Sequence, residues 1–291
     1  MSTVAVLGVN GMLGHTIFSE LSGFEGNLIG SSRLEQANPL TGNHFFLDAT
    51  AAVLPKALHE LGPDDYVINC IGVINKNIVE NSADSCEIAL LVNSLFPYKL
   101  DALASELGFK IIQIATDCVF SGSKGQYLET DMHDTIDIYG KTKSLGEVPS
   151  ENMMSIRVSI IGPEVNSGVS LFEWVRNQPR NAQITGYSDH FWNGVTTAAF
   201  ARICLGIMKN SGFVAGTHHL IPCDSMSKFE LVKEISSKCE RTDIDIRELP
   251  SGKRIDRTLS TVNVPLNQQL WANAGYSSIP KIADLVSDID L

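Results

Sequence analysis

Basic side chains are scarce in this sequence. Its 291 residues hold twenty-two lysines and arginines against thirty-three aspartates and glutamates, a formal net charge of −11. That sign is wrong for wrapping a phosphodiester backbone, so nucleic acid is not an expected partner. A small anion remains an acceptable ligand, because oriented backbone amides and one or two cations hold a phosphate whatever the overall charge. Charged residues make up only 19% of the chain and apolar ones 44%, which excludes intrinsic disorder and a coiled coil. The six cysteines, Cys70, Cys86, Cys118, Cys204, Cys223 and Cys239, include no C-x-x-C pair. Neither a zinc knuckle nor a disulfide framework is therefore expected, and no metal ligand is assigned. No apolar run is long enough to cross a bilayer, so no membrane partner is expected. The amino-terminal stretch lacks a basic leader and is broken by Gly8, Gly11 and Gly14, which argues against a signal peptide and for a cytoplasmic protein.

What the first half does contain is short β-branched runs alternating with helical stripes, the rhythm of a parallel sheet built by crossovers. Strands are expected at Thr3 to Leu7, Asn27 to Ser31, His44 to Leu47, Tyr66 to Ile71 and Lys110 to Ala115. Leu13, Ile17 and Leu21 line one face of a helix. Val92, Phe96, Leu100, Leu103 and Leu107 line a longer one that Gly108 closes and Pro97 is expected to kink. Beyond a strand at Met154 to Ile161 the segments shorten and become more polar. The reading is a doubly wound parallel sheet of α/β class over residues 1–161 and a smaller α/β lobe over 162–291, which hands strand 216–221 back to the first domain.

Gly8-Val9-Asn10-Gly11-Met12-Leu13-Gly14 lies between the first strand and the first helix. Gly8 suits the tight turn, Gly11 lets the backbone approach a pyrophosphate, and Gly14 lets the helix pack closely while its amino end faces the anion. The second strand ends in Ser31-Ser32-Arg33 with no carboxylate. Hydroxyls followed by an arginine suit the 2′-phosphate of NADP, whereas an acidic residue would suit the ribose of NAD, so NADPH is favoured over NADH. Asp48 can accept from an adenine amino group or cap a turn. Tyr139-Gly-Lys-Thr-Lys143 stacks a phenol and an ammonium at i and i+4 of a helix, where the cation can lower the tyrosine pKa and make it a proton donor. Thr116 follows the strand ending at Ala115, at the edge where doubly wound sheets bind ligands. Trp192-Asn193-Gly194 offers an aromatic ring and an amide to a sugar nucleotide, or a packed core tryptophan. His218 and His219 point to opposite faces of a strand, so they receive no joint metal role.

As a set these motifs resemble the extended short-chain dehydrogenase/reductases and, more closely, the dTDP-4-dehydrorhamnose reductase family. The resemblance runs through the glycine motif, Asn69-Cys70-Ile71-Gly72, Val92-Asn93, Thr116-Asp117-Cys118-Val119-Phe120-Ser121-Gly122, Tyr139 to Glu147, and Arg157 before Gly162. It implies a Rossmann-type domain that binds NADPH through Gly8 to Gly14, Ser32, Arg33, Asp48 and Cys70 to Gly72. It further implies hydride transfer to a nucleotide-activated 4-keto sugar, a precursor for polysaccharide assembly, with Thr116, Tyr139 and Lys143 catalytic and Asp117, Cys118, Trp192 and Asn193 at the substrate. Family members commonly have tyrosine where this chain has Cys118, and dehydratases of the class have a second acid there, which disfavours dehydration. An epimerase, alone or combined with the reductase, is the nearest enzymatic alternative. A regulatory NADP-binding subunit, like that of methionine adenosyltransferase, is the alternative from another class. A homodimer is compatible with all three.

Overall fold

The computed structural model describes residues 1–33, 43–165, 168 and 170–290. Fourteen strands and ten α-helices are placed among them. In chain order the first half runs β1 (Thr3–Leu7), α1 (Met12–Glu20), β2 (Asn27–Ser32), β3 (His44–Phe46), α2 (Lys56–His59), β4 (Tyr66–Asn69), α3 (Ala83–Ala89), α4 (Phe96–Leu107), β5 (Lys110–Ala115), α5 (Ile138–Leu145) and β6 (Met153–Arg157). The second half continues with β7 (Ile160–Ile161), α6 (Leu171–Arg176), β8 (Gln183–Tyr187), β9 (His190–Trp192), β10 (Val195–Thr196), α7 (Thr197–Lys209), β11 (Gly216–His219), β12 (Met226–Ser227), α8 (Lys228–Lys238), β13 (Asp245–Leu249), β14 (Ile255–Asp256), α9 (Val264–Asn273) and α10 (Ile282–Ser287).

Seven strands make one sheet in the order β11-β6-β5-β4-β1-β2-β3, every pairing parallel. The near-continuous apolar runs follow from burial on both faces. Val4 and Val6 face one core with Leu13, Ile17 and Phe18 of α1 and with Phe200, Ile203 and Ile207 of α7. Ala5 and Leu7, one residue out of phase, face the other core with Phe96, Leu100 and Leu103 of α4. A third core in the carboxyl-terminal half gathers Phe172, Val175, Trp192, Leu231, Ile235 and Ile282. No helix among the described residues is long and apolar enough to cross a membrane.

Several expected element bounds need correction, β3 ending at Phe46 and β4 at Asn69 among them. The strand expected from Met154 to Ile161 is broken after Arg157. Gly194 packs so closely on Ser159 that a Cβ there would lie 2.1 Å from the Ser159 carbonyl, and Val195 donates to that carbonyl, so Ile160–Ile161 pairs with β10 instead of extending β6. Pro97 stands inside an unbroken helical run made of α3, a π-helical stretch at Leu90–Leu95 and α4, and the irregularity expected of it takes the form of that π-helical stretch just before the proline. Residues 220 and 221 lie outside β11, which ends at His219 beside Arg157.

Candidate active site

The amino end of α1 is built as an open cradle. Gly8 has φ +86°, and both Gly8 and Val9 donate backbone N–H groups to the Ser31 carbonyl, which fixes the turn against β2. A Cβ on Gly14 would lie 2.3 Å from the Gly8 carbonyl oxygen, so only glycine lets α1 sit this close to the turn. Gly11 supplies no capping side chain to the helix, and the first turn of α1 carries no acid. The positive end of the helix dipole and the N–H groups around Met12 and Leu13 therefore suit an anion. Asn10 lies in the same turn. Across the sheet edge, Ile71 closes the turn, since a Cβ on Gly8 would lie 3.0 Å from its Cγ1. The loop carrying Cys70, Ile71 and Gly72 is held by Asn93 of the π-helical turn, which accepts from the Val73 N–H at 2.8 Å and donates to the Val73 carbonyl and the Thr142 hydroxyl. Cys70 is pushed up to about 12 by burial, which makes it an inert wall.

At the ribose end Arg33 is exposed and its charge acts on Asp48. Asp48 accepts from the Thr50 N–H and hydroxyl at 2.9 and 2.7 Å, so it caps a turn, and these bonds lower its pKa. Ser32 departs from expectation. It is buried, and its hydroxyl is paired with His44 Nε2 at 2.8 Å, because β3 lies directly against β2.

Thr116, Tyr139 and Lys143 come together at the carboxyl edge of the sheet. Asp137 caps α5 by accepting from Gly140 N–H at 2.7 Å. Two glycines let that helix press inward: a Cβ on Gly140 would meet the Cys118 carbonyl at 2.3 Å, and one on Gly146 the Asn93 carbonyl at 1.9 Å. Tyr139 consequently comes beside Thr116, whose hydroxyl pulls the phenol pKa down and accepts from Cys118 N–H at 3.1 Å. Lys143 is 7% exposed and donates to the Ile114 carbonyl at 2.8 Å. The expected lowering of the Tyr139 pKa by Lys143 is not what the geometry gives. Burial and the nearby Cys118 push the phenol upward, only the Thr116 hydroxyl pulls it down, and the lysine is itself lowered to about 8 by burial. Tyr139 is a protonated donor at neutral pH, and Lys143 a cation close to losing its proton.

Asp117 and Cys118 complete this corner. Burial raises the Asp117 carboxyl, which accepts from Thr116 Oγ1 at 3.2 Å and from the Cys118 thiol at 3.7 Å. Cys118 is pushed up to about 12, chiefly by burial and Asp117, which leaves a neutral thiol. The loop at Trp192 and Asn193 also departs from expectation. Trp192 is 4% exposed, within the third core, and donates to Ser159 Oγ at 2.8 Å. Asn193 spends its amide on the Leu259 carbonyl and N–H, at 2.7 and 2.9 Å. Neither presents a free polar atom to the cleft. Two cations unremarked in the sequence stand there instead, Lys228 at the start of α8 and Arg257 just after β14. Their approach depends on strand pairings more than one hundred residues away from Thr116, which no local pattern reveals.

Below the triad lies a buried polar hub. Arg157 donates from Nε and Nη2 to the two oxygens of Glu147 at 2.8 and 2.6 Å, from Nη2 to His133 Nε2 at 2.7 Å, and from Nη1 to His219 Nε2 at 3.1 Å. His219 Nδ1 lies 2.6 Å from the Ser260 carbonyl and must carry the proton, leaving Nε2 as acceptor. Burial lowers both histidines, in keeping with neutral rings facing a guanidinium. Glu147 also raises the pKa of Lys143, four residues earlier. His218 turns the other way, toward the Val214 and Ala215 carbonyls.

The family model of the RmlD substrate binding domain matches residues 1–286. The chain belongs to that family. It is 22% identical over 279 residues, 94% of this chain and 91% of the other, to a dTDP-4-keto-6-deoxy-D-glucose reductase of Streptomyces niveus. It is 26% identical over 238 residues, 78% of this chain and 69% of the other, to the methionine adenosyltransferase 2 subunit beta of Xenopus tropicalis. In fold it is similar to a dTDP-4-dehydrorhamnose reductase of Bacillus anthracis in complex with NADP, with a TM-score of 0.74, 19% identity and 98% of each chain covered. The same enzyme of Clostridium acetobutylicum gives a TM-score of 0.74 at 20% identity, covering 98% of this chain and 97% of the other.

Proposed function

We propose that this chain is an NADPH-dependent reductase of a nucleotide-activated 4-keto-6-deoxyhexose, a step toward activated sugars for polysaccharide assembly. The observation that carries the reading is the meeting of Thr116, Tyr139 and Lys143 beside the open amino end of α1. The cradle fits a dinucleotide: Gly14 is required by the fold, Gly11 leaves α1 uncapped, and Arg33 stands exposed where an adenosine 2′-phosphate belongs. NADPH, when bound, supplies the hydride. The chain's own residues do the rest. Thr116 orients the ketone oxygen by hydrogen bonding. Tyr139, kept protonated by its burial, gives that oxygen its proton. Lys143, anchored on the Ile114 carbonyl, holds the nicotinamide ribose, and the Thr116 hydroxyl, which pulls the phenol down, favours the tyrosinate left behind, a charge that burial would otherwise disfavour. The complex with NADP and the named activity of the Streptomyces niveus relative support this assignment.

The test is loss of NADPH absorbance when the protein meets dTDP-4-keto-6-deoxyhexoses in a broad panel. Turnover lowered by about 10²- to 10⁴-fold in Tyr139→Phe is the expected result; no turnover of any keto sugar by wild type overturns it. A second reading, a regulatory subunit, is favoured by the methionine adenosyltransferase 2 subunit beta relatives, at 26% identity in Xenopus tropicalis. It requires NADP binding without turnover and a stable complex with a methionine adenosyltransferase catalytic subunit. An epimerase alone would leave NADPH unconsumed, and would either exchange a ring C–H with solvent deuterium, if it deprotonates beside the ketone, or invert a carbinol without exchange, if it moves a hydride to the cofactor and back.

A further inference from the structure

Lys228 opens α8, where Ser227 accepts from the Glu230 N–H at 3.2 Å and caps the helix, so the backbone of the lysine is fixed. Ser227 also pairs with Phe191 of β9, which brings the ammonium 5.3 Å from the centre of the Trp192 ring. That contact supports a cation and leaves its N–H groups free. Among the described residues the half-buried ammonium makes neither a hydrogen bond nor an ion pair. Lys143 differs, being held on the Ile114 carbonyl. Lys228 interacts electrostatically with Asp117 most and with Cys118 next, and those two act in turn on Tyr139. The lysine therefore shares the corner of Thr116 and Tyr139. Arg257 faces it from the other flank of the same small sheet, and Tyr187 and His190 line a cavity with it. Burial lowers Lys228 to about 8, with Arg257 adding to the effect and Asp117 opposing it. Part of the lysine is consequently a free amine at neutral pH.

A ketone oxygen held by Thr116 and Tyr139 gathers charge when a hydride arrives. The same donors stabilise an enolate, whose charge forms on that oxygen when a proton leaves the carbon beside the ketone. Enolate formation needs a base and no hydride. The other groups in the corner do not serve as that base. Asp117 accepts from the Thr116 hydroxyl at 3.2 Å and from the Cys118 thiol at 3.7 Å. Asp137 is occupied by the Gly140 N–H as the cap of α5. Burial and Asp117 keep the Cys118 thiol neutral. Arg257 donates to the Phe120 carbonyl at 2.9 Å and keeps its proton at any ordinary pH. An unbonded amine, by contrast, has a lone pair to offer.

We propose that Lys228 is a general base that enolises the keto sugar at a carbon next to the ketone, an activity separate from the reduction. The lysine nitrogen takes the proton of C3 or C5, the C–H electron pair becomes the enolate double bond, and the ketone oxygen carries the charge against Thr116 and Tyr139. Return of a proton from the Lys228 ammonium restores the ketone with hydrogen drawn from solvent; return to the opposite face inverts the carbon. No oxidant or reductant is consumed. The ketone rests on the reductase reading, but the step needs no hydride, so the two fail separately. The test places the intact chain in deuterium oxide with dTDP-4-keto-6-deoxy-D-glucose and NADP⁺, which has no hydride to give. Deuterium at C3 and C5 is followed by NMR and mass spectrometry. Exchange above the enzyme-free rate should rise with pH and level off above about 8. Lys228→Met and Lys228→Arg should both lower it at least about a hundredfold, since arginine keeps the charge and yields no proton, while NADPH affinity stays within about twofold. Exchange lost in both variants upholds the base, even if no keto sugar is reduced and the reductase reading falls. No exchange by wild type, a flat pH profile, or exchange retained in Lys228→Arg overturns it, even if the keto sugar is reduced.

Discussion

Arg157→Met is a severe test of how the site is held. The guanidinium is 4% exposed and every one of its nitrogens donates to an acceptor, two of them on Glu147. Methionine fills much of the same volume but returns none of those bonds. Glu147, whose side chain is 7% exposed, is left as an uncompensated buried carboxylate, and His133 and His219 lose the donor that holds their rings. Removing one partner of a buried pair costs about 3–5 kcal/mol. For a chain of this size each kcal/mol lowers Tm by roughly 2–4 °C, so a fall of about 6–20 °C is expected. Thermal unfolding monitored by circular dichroism measures it. Glu147→Leu on top of Arg157→Met removes the orphaned charge and should recover part of the loss. A single variant within about 1 kcal/mol of wild type, or a double variant no better than the single, would show that the hub is solvated and refute the argument.

Other consequences concern the cleft. Tyr139→Phe should lower kcat by about 10²- to 10⁴-fold with NADPH affinity unchanged, read by steady-state assay and fluorescence titration. Arg33→Ala should erase a preference for NADPH over NADH of about tenfold or more, worth roughly 1.5–3 kcal/mol; equal binding of both by wild type would remove Arg33 from the site. Because Lys143 is lowered to about 8 and its role needs the ammonium, NADPH binding should weaken as pH rises through that value. Glu147→Gln, which takes away a charge that raises Lys143, should move this alkaline limb to lower pH. The histidines act in the other direction: both fold with pKa values below the ordinary 6.5, so stability is present above it and is lost as pH falls below it. His133→Gln should flatten that acid limb in pH-dependent denaturation.

The parallel sheet was legible because its strands are buried on both faces and read as unbroken apolar runs. Strand ends were not, since they depend on contacts made elsewhere: β6 stops where Gly194 meets the Ser159 carbonyl, and that meeting joins two distant segments. The helix stripe through Phe96 and Leu100 was legible from its period, but the widening at Leu90–Leu95 was not. It brings Asn93 to the Val73 backbone and to Thr142, a tertiary requirement that hydrophobic spacing does not record.

The candidate site divides in the same way. Gly14 and Tyr139 announce themselves because a turn and a helix impose fixed spacing, and Gly140 within α5 and Gly146 at its end are part of that local code. Trp192 and Asn193 misled because an aromatic and an amide serve a core and a ligand equally well; only the Ser159 and Leu259 partners decide between them. Pairing with those partners is also what builds the cleft wall. Asn193 clamps the Leu259 backbone two residues beyond Arg257, and Trp192 lies beneath the Lys228 ammonium. Asn193→Ala would therefore leave a buried N–H and carbonyl unpaired, at about 1–3 kcal/mol, and would loosen the segment that presents Arg257. A substrate effect of that variant should consequently appear together with lost stability, read as KM and Tm on the same preparation; a raised KM at unchanged Tm would refute this.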